Sequence, residues 1–307
     1  MRHLRLTWLA PGTLAAAIAL VTLGAIVRVS GAGEGCPDWP LCYGQMLPPP
    51  RLLAWIEFAH RLGAVLVSIL VIALPLAAWQ ERRRDSRAIV LAVSAPGILF
   101  MQVLLGGLTV LSKLTALVVA VHLGVSLLLV AVLAALASHV RREELLPRAD
   151  LGAHAGVTIT LAVVLGATFL VLMLGAWVAG SGASLACMDW PLCAAAIVPF
   201  GQGGQRLLQG LHRLTAAATI ACLTVLVFRI RGLRHVWPAG WRFTWLALGL
   251  VVAQALLGGM LVLAQLPTWM RAAHVLLATL VWAILIAITS AWLGGRSLPV
   301  LSSKEAA

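Results

Sequence analysis

The chain has 307 residues, 62% of them hydrophobic and only 10% charged, and its mean hydropathy is +1.01. A soluble domain carries about 25% charged residues, so this composition excludes a soluble globular protein. The net charge of +12 does not mark a nucleic-acid binder either, because the cations fall in short segments between apolar runs.

The first apolar run, 10–29, follows Met1-Arg2-His3-Leu4-Arg5 and has the form of a signal peptide. Its counterpart at 153–179 lies mid-chain and cannot be one, so the first run is retained as a span. The others are 53–79, 88–111, 116–138, 207–229, 243–263 and 270–293. Each suits a crossing of about 20 residues. Lipid offers no water to unpaired backbone groups, so these spans are predicted to be helices. The expected fold class is an all-α polytopic membrane protein with eight transmembrane helices and the lipid bilayer as its solvent.

Orientation follows from Lys and Arg. Fifteen lie at one end of the spans: Arg2, Arg5, Arg82, Arg83, Arg84, Arg87, Arg141, Arg142, Arg148, Arg229, Arg231, Arg234, Arg242, Arg296 and Lys304. Seven lie in or near the other half: Arg28, Arg51, Arg61, Lys113, Arg206, Arg213 and Arg271. Both termini are therefore expected in the cytoplasm of a multi-pass cell-membrane protein. The cysteine-bearing loops are expected outside it, where disulfides persist.

The chain repeats itself. LGAIVRVSGAG (23–33) matches LGAWVAGSGAS (174–184), and EFAHRLGA (57–64) matches QGLHRLTA (209–216). LLGGLTVLSKL (104–114) matches LLGGMLVLAQL (256–266), and AVHLGVSLL (120–128) matches AAHVLLATL (272–280), all at an offset of 151 or 152. Two four-helix bundles are predicted, 1–150 and 151–307. With an even number of spans each, they are parallel repeats about an axis along the membrane normal.

Four histidines fall within spans. His60 and His122 are 62 residues apart, as are His212 and His274, and the members of each pair share a depth. Ionisable residues inside a membrane are costly and point to function. Zinc wants about four ligands, and the cysteines lie away in loops. Paired imidazoles on separate helices suit the two axial positions of a haem iron in a bundle core. His3, His139, His154 and His235 sit near the cytoplasmic ends and read as solvated or interfacial.

Glu57 lies three residues before His60, on the same helix face; the matching residue in the second half is Gln209. A carboxylate in an apolar bundle is paired, protonated or useful. It is either an interfacial partner of Arg61 or Arg28, or a proton acceptor or donor beside one haem site. The second reading is favoured, which makes the second site an electron-transfer haem.

The loops GEGCPDWPLCYGQ (33–45) and SLACMDWPLCAAA (184–196) hold Cys36/Cys42 and Cys187/Cys193 at identical spacing. Pro37, Pro40 and Pro191 let the chain turn, and Trp39 and Trp190 suit a membrane–water interface. Each pair reads as a structural disulfide, or in the first half as a redox-active thiol pair near Glu57. Cys222, inside the sixth span, reads as a packing residue.

CPDWPLC after the first span, EFAHR, VHLG, LHR and AAH together resemble the heme A synthase family, specifically the bacterial type with paired loop cysteines. The resemblance spans about residues 10–293. It implies oxidation of the C8 methyl of haem O to a formyl group by successive hydroxylations with water-derived oxygen. It places a substrate haem O between His60 and His122, with Glu57 catalytic, and a haem b cofactor between His212 and His274. It also implies heme O synthase upstream in the pathway and a role in cytochrome oxidase assembly; no motif names the electron acceptor. From the residues alone, a bis-His di-haem b cytochrome exchanging electrons with quinone, or a haem-free thiol–disulfide protein, stands beside it.

Overall fold

The computed structural model of the chain describes residues 5–141, 145–146 and 154–295. Arg2, His3, Arg142, Arg148, Arg296, Lys304 and the 150/151 boundary lie outside them. Eight helices among the described residues are long and apolar enough to cross a membrane. They are α1 (Leu6–Val29), α2 (Leu52–Arg82), α3 (Ser86–Leu111), α4 (Ala116–Val140), α5 (Ala155–Gly180), α6 (Gly204–Ile230), α7 (Pro238–Leu263) and α8 (Thr268–Gly295). No strand forms among the described residues beyond isolated bridges. Most helices run past the predicted spans, because backbone hydrogen bonding continues where apolar side chains give way to interfacial ones. Helix α2 thus takes in Glu81 and Arg82.

Helices α1 to α4 pack in succession, as do α5 to α8, while α1, α4, α5 and α8 meet in the middle of the molecule. One apolar core gathers residues of α1 to α4 with Trp282 and Ala283 of α8, and a second lies among α5 to α8. Trp282 Nε1 donates to Leu127 O at 2.8 Å, and Arg87 Nη2 to Ser290 Oγ at 3.2 Å, so polar bonds as well as packing join the halves.

The turns recur at equivalent places. Lys113 and Leu114 between α3 and α4, and Gln265 and Leu266 between α7 and α8, are consecutive left-handed residues. Gly31 and Gly182 are left-handed as well, at φ 76° and 73°, just after α1 and α5. A side chain resists that conformation and glycine does not. Cys222 is a free thiol packed against the second core.

Candidate functional site

His60 and His212 each lie eight residues after the first residue of α2 and α6, and His122 and His274 each six after that of α4 and α8. Equal register puts the four imidazoles near the end of the bundle that bears the cysteine loops. Within each half the two rings are in electrostatic range of one another.

Every ring is seated on a glycine of a neighbouring helix. A Cβ built on Gly24 of α1 would lie 3.0 Å from His60 Cε1, and one on Gly106 of α3 3.4 Å from His122 Cε1. In the second half Gly175 of α5 faces His212 at 3.0 Å and Gly258 of α7 faces His274 at 3.1 Å. These glycines sit at the repeat offset and let an imidazole lie against bare backbone. The sequence reading missed them; their shared offset is the signal that could have found them.

The ring nitrogens have an unusual set of partners. Nδ1 of His60, His122 and His274 is buried with no hydrogen-bond partner. His212 Nδ1 donates to Val171 O at 3.1 Å, which leaves its Nε2 lone pair available. Among the described residues no three His, Cys, Asp or Glu gather into a metal cluster. Two imidazoles per half, seated on glycine and with unsatisfied nitrogens, fit the axial pair of a haem iron and not a four-ligand zinc.

Two glutamines, also missed, sit beside the second ring of each half. Gln102 Nε2 donates to His122 Nε2 at 3.1 Å and makes a short contact to Ser126 Oγ. Its counterpart Gln254 instead donates to the backbone O of His274 at 2.8 Å, and Ala278 stands where the first half has Ser126.

Glu57 is only 5% exposed. Its Oε1 accepts from Arg61 Nε at 3.0 Å, so the ion pair forms with Arg61 and not with Arg28. Gln209 is buried equally but behaves differently: its Oε1 accepts from Cys187 N–H at 2.6 Å and its Nε2 donates to Ser184 O at 2.8 Å. An ionised carboxylate has no proton to offer a loop carbonyl, so Glu57 turns to arginine where Gln209 stitches the loop.

The arginine after each His fastens the loop. Arg61 donates to the carbonyls of Pro40, Leu41 and Cys36 at 3.3, 2.6 and 3.5 Å. Arg213 donates to Asp189 O at 2.7 Å, Cys187 O at 3.1 Å and also Leu192 O. In each loop the cysteines are joined, with Cα atoms 4.7 Å apart for Cys36–Cys42 and 5.0 Å for Cys187–Cys193. Asp38 accepts from Tyr43 and Gly44 N–H at 2.6 and 2.7 Å, and Asp189 from Ala194 and Ala195 at 3.0 and 3.1 Å. These backbone amides hold both carboxyls below the usual carboxylate range. Trp39 lies on Gly107 of α3 and Trp190 on Gly259 of α7, each so close that a Cβ would collide. Each tryptophan thus packs one face on the bundle end and leaves the rest of the ring exposed.

His139 is half-buried, and its Nε2 bonds Asp85 at 2.8 Å; it is a structural partner more than a solvated residue. His154 meets Trp292 edge to face, and His235 accepts from Arg234 Nε at 3.0 Å.

The family model of the COX15-CtaA cytochrome oxidase assembly proteins matches residues 7–53 and 51–286. The chain belongs to this family. It is 31% identical to the heme A synthase of Geobacillus kaustophilus (strain HTA426), over 98% of this chain and 96% of that one. The heme A synthase of Geobacillus thermodenitrificans is 32% identical over 91% of this chain and 89% of its own. That of Symbiobacterium thermophilum is 33% identical over 86% and 88%. The paired histidines, the loop disulfides and the Glu57/Gln209 difference all fall within the residues that the family model matches.

Proposed function

We propose that the protein is a heme A synthase, a membrane oxidoreductase that converts the C8 methyl of haem O to a formyl group by successive hydroxylations with water-derived oxygen. Residues 1–150 form the substrate half, with haem O held by His60 and His122. Residues 151–307 form the cofactor half, with haem b held by His212 and His274. The halves are parallel repeats, with termini in the cytoplasm and cysteine loops outside the cell membrane.

The observation that carries this reading is the contrast between Glu57 and Gln209 at otherwise matching positions. A carrier of electrons alone has no use for a carboxylate in one half and an amide in the other. Each hydroxylation removes two electrons and releases two protons, so a base is needed beside the reacting methyl. Bound haem b supplies the one-electron chemistry. Glu57, one turn from His60, takes these protons one at a time and passes each on before accepting the next. Arg61 fixes the Glu57 carboxylate and, by gripping the Cys36–Cys42 loop, fixes the lid above it. Trp39 on Gly107 closes the same end and limits bulk water.

The test is haem chromatography from cells that make haem O and express either the native chain or Glu57→Gln. A positioned base contributes about 10²–10⁴-fold. The native chain should accumulate haem A, and Glu57→Gln should retain the haem b spectrum with haem A reduced by about that factor. Near-normal haem A from the variant would remove Glu57 from proton transfer, and no haem A from the native chain would remove the synthase reading.

A further inference from the structure

Arg28 and Arg271 have no place in the chemistry above. Arg28 lies in the last turn of α1, four residues beyond Gly24 and on the same helix face, the face against which His60 is seated. Arg271 lies three residues before His274 on α8, again on the face of the histidine. Each stands about one turn, ~5 Å, from its ring toward the loop end. Both are half-buried, and the two are near enough for their charges to act on each other. Among the described residues no hydrogen bond or ion pair engages either guanidinium.

No carboxylate at that end is free to answer them. Glu57 is held by Arg61, Asp38 and Asp189 by turn amides, and Glu34 is exposed. The other loop-end arginines in or beside the loops differ: Arg61, Arg213 and Arg206 sit on loop carbonyls, and Arg51 lies over Tyr43. Two half-buried cations on adjoining helices are costly without an anion. The repeat sharpens the point. Arg28 matches Ala179 and Arg271 matches Val119. Each half thus has one such cation, supplied by the glycine-bearing helix in the first half and by a histidine-bearing helix in the second. Inheritance by duplication would have given the same helix both times.

We propose that Arg28 and Arg271 are carboxylate anchors, each binding a haem propionate, Arg28 at the His60/His122 site and Arg271 at the His212/His274 site. The inference rests on the two-haem reading above. A guanidinium forks onto a carboxylate with two parallel hydrogen bonds, so a haem held with its propionates toward the loop end would meet a matching donor at each site. The anchors fix which way round the porphyrin lies. At the first site that orientation decides which ring methyl comes to Glu57, so Arg28 is a positioning residue for the C8 selectivity of the reaction.

The test is a titration of the full chain in detergent micelles, its second site loaded with haem b, using haem O and haem O dimethyl ester as probes. The readout is the low-spin absorption change on binding. A charge-assisted hydrogen bond lost on one partner corresponds to about 10- to 100-fold in affinity. Esterification should weaken binding to the native chain by about that factor. Arg28→Gln should weaken haem O to the level of the ester and leave the ester unchanged, and Arg28→Lys should recover part of the loss. An unaltered haem b spectrum in Arg28→Gln shows that the fold is kept. Arg271→Gln, examined alone, should speed the loss of haem b to apomyoglobin without changing haem O affinity. Binding that requires His60 but is indifferent to both esterification and Arg28 would overturn the anchor and leave the site reading intact. Binding indifferent to His60→Ala would overturn the site reading and the anchor with it.

Discussion

At the scale of single residues, one atom separates the two versions of the site. Glu57 and Gln209 have the same length and burial, yet the amide nitrogen of Gln209 reaches the Ser184 carbonyl and the Glu57 oxygen reaches Arg61. The histidines differ more quietly. Only His212 has its Nδ1 proton fixed by a carbonyl, which presets the tautomer that leaves Nε2 free for iron. We therefore expect His212→Ala or His274→Ala to abolish the low-spin haem b spectrum of the purified protein, since one of two axial ligands is gone. Retention of that spectrum at native intensity would move the haem b site elsewhere. Both pairs of histidines and the Glu57/Gln209 contrast were legible in the sequence, because ionisable residues stand out against apolar spans. Gln102 and Gln254 were not, since a lone amide in a span has no obvious partner until helix packing supplies one.

At the scale of elements, the glycines on α1, α3, α5 and α7 matter as much as the histidines they face. Gly258→Val forces a side chain into the His274 ring, which must shift. Overpacking of this kind costs about 1–3 kcal/mol. We expect weakened or lost haem b with helical circular dichroism unchanged. Gly249→Val on the same helix, where a Cβ meets nothing within 4 Å, should leave haem b as it is. Equal effects from the two variants would show that α7 merely tolerates no extra bulk. The loops make a different prediction. The amide of Gly44 first, with that of Tyr43, holds the Asp38 carboxyl low, and those of Ala194 and Ala195 do the same for Asp189. A carboxyl depressed in the folded state stabilises above its ordinary pKa and loses that contribution as pH falls through the depressed value. Protection of these four amides relative to their intrinsic exchange rates should therefore hold at neutral pH and fall only below about pH 4. Asp38→Asn should remove the acid dependence in the first loop alone. Acid-independent protection in the native chain would contradict these carboxylate–amide bonds.

At the scale of the whole molecule, both disulfide loops sit at the same end of the bundle, opposite the arginine-rich segments. Non-reducing peptide mapping should recover Cys36–Cys42 and Cys187–Cys193, because each loop closes on itself with Cα atoms 4.7 and 5.0 Å apart. Peptides linking one half to the other would contradict local closure. In intact cells a membrane-impermeant maleimide should label Met46→Cys and Ile197→Cys, whose side chains are exposed in the two loops, and spare Cys222 within α6. Labelling only after permeabilisation would invert the orientation drawn from the Lys and Arg distribution.

The sequence by itself determined the eight spans, the duplication, the paired histidines, the loop cysteines and the odd carboxylate. Each is a local signal: twenty apolar residues in a row, a motif recurring at 151 or 152, a charge where charge is costly. Only the tertiary structure decided what those residues touch. It assigned Glu57 to Arg61 and not to Arg28, laid Trp39 and Trp190 on glycines, and put Gln102 against an imidazole nitrogen. It also left Arg28 and Arg271 without a counter-ion among the described residues. The physical reason is that a span's apolarity is summed along one helix, whereas a polar side chain inside the membrane finds its partner on another.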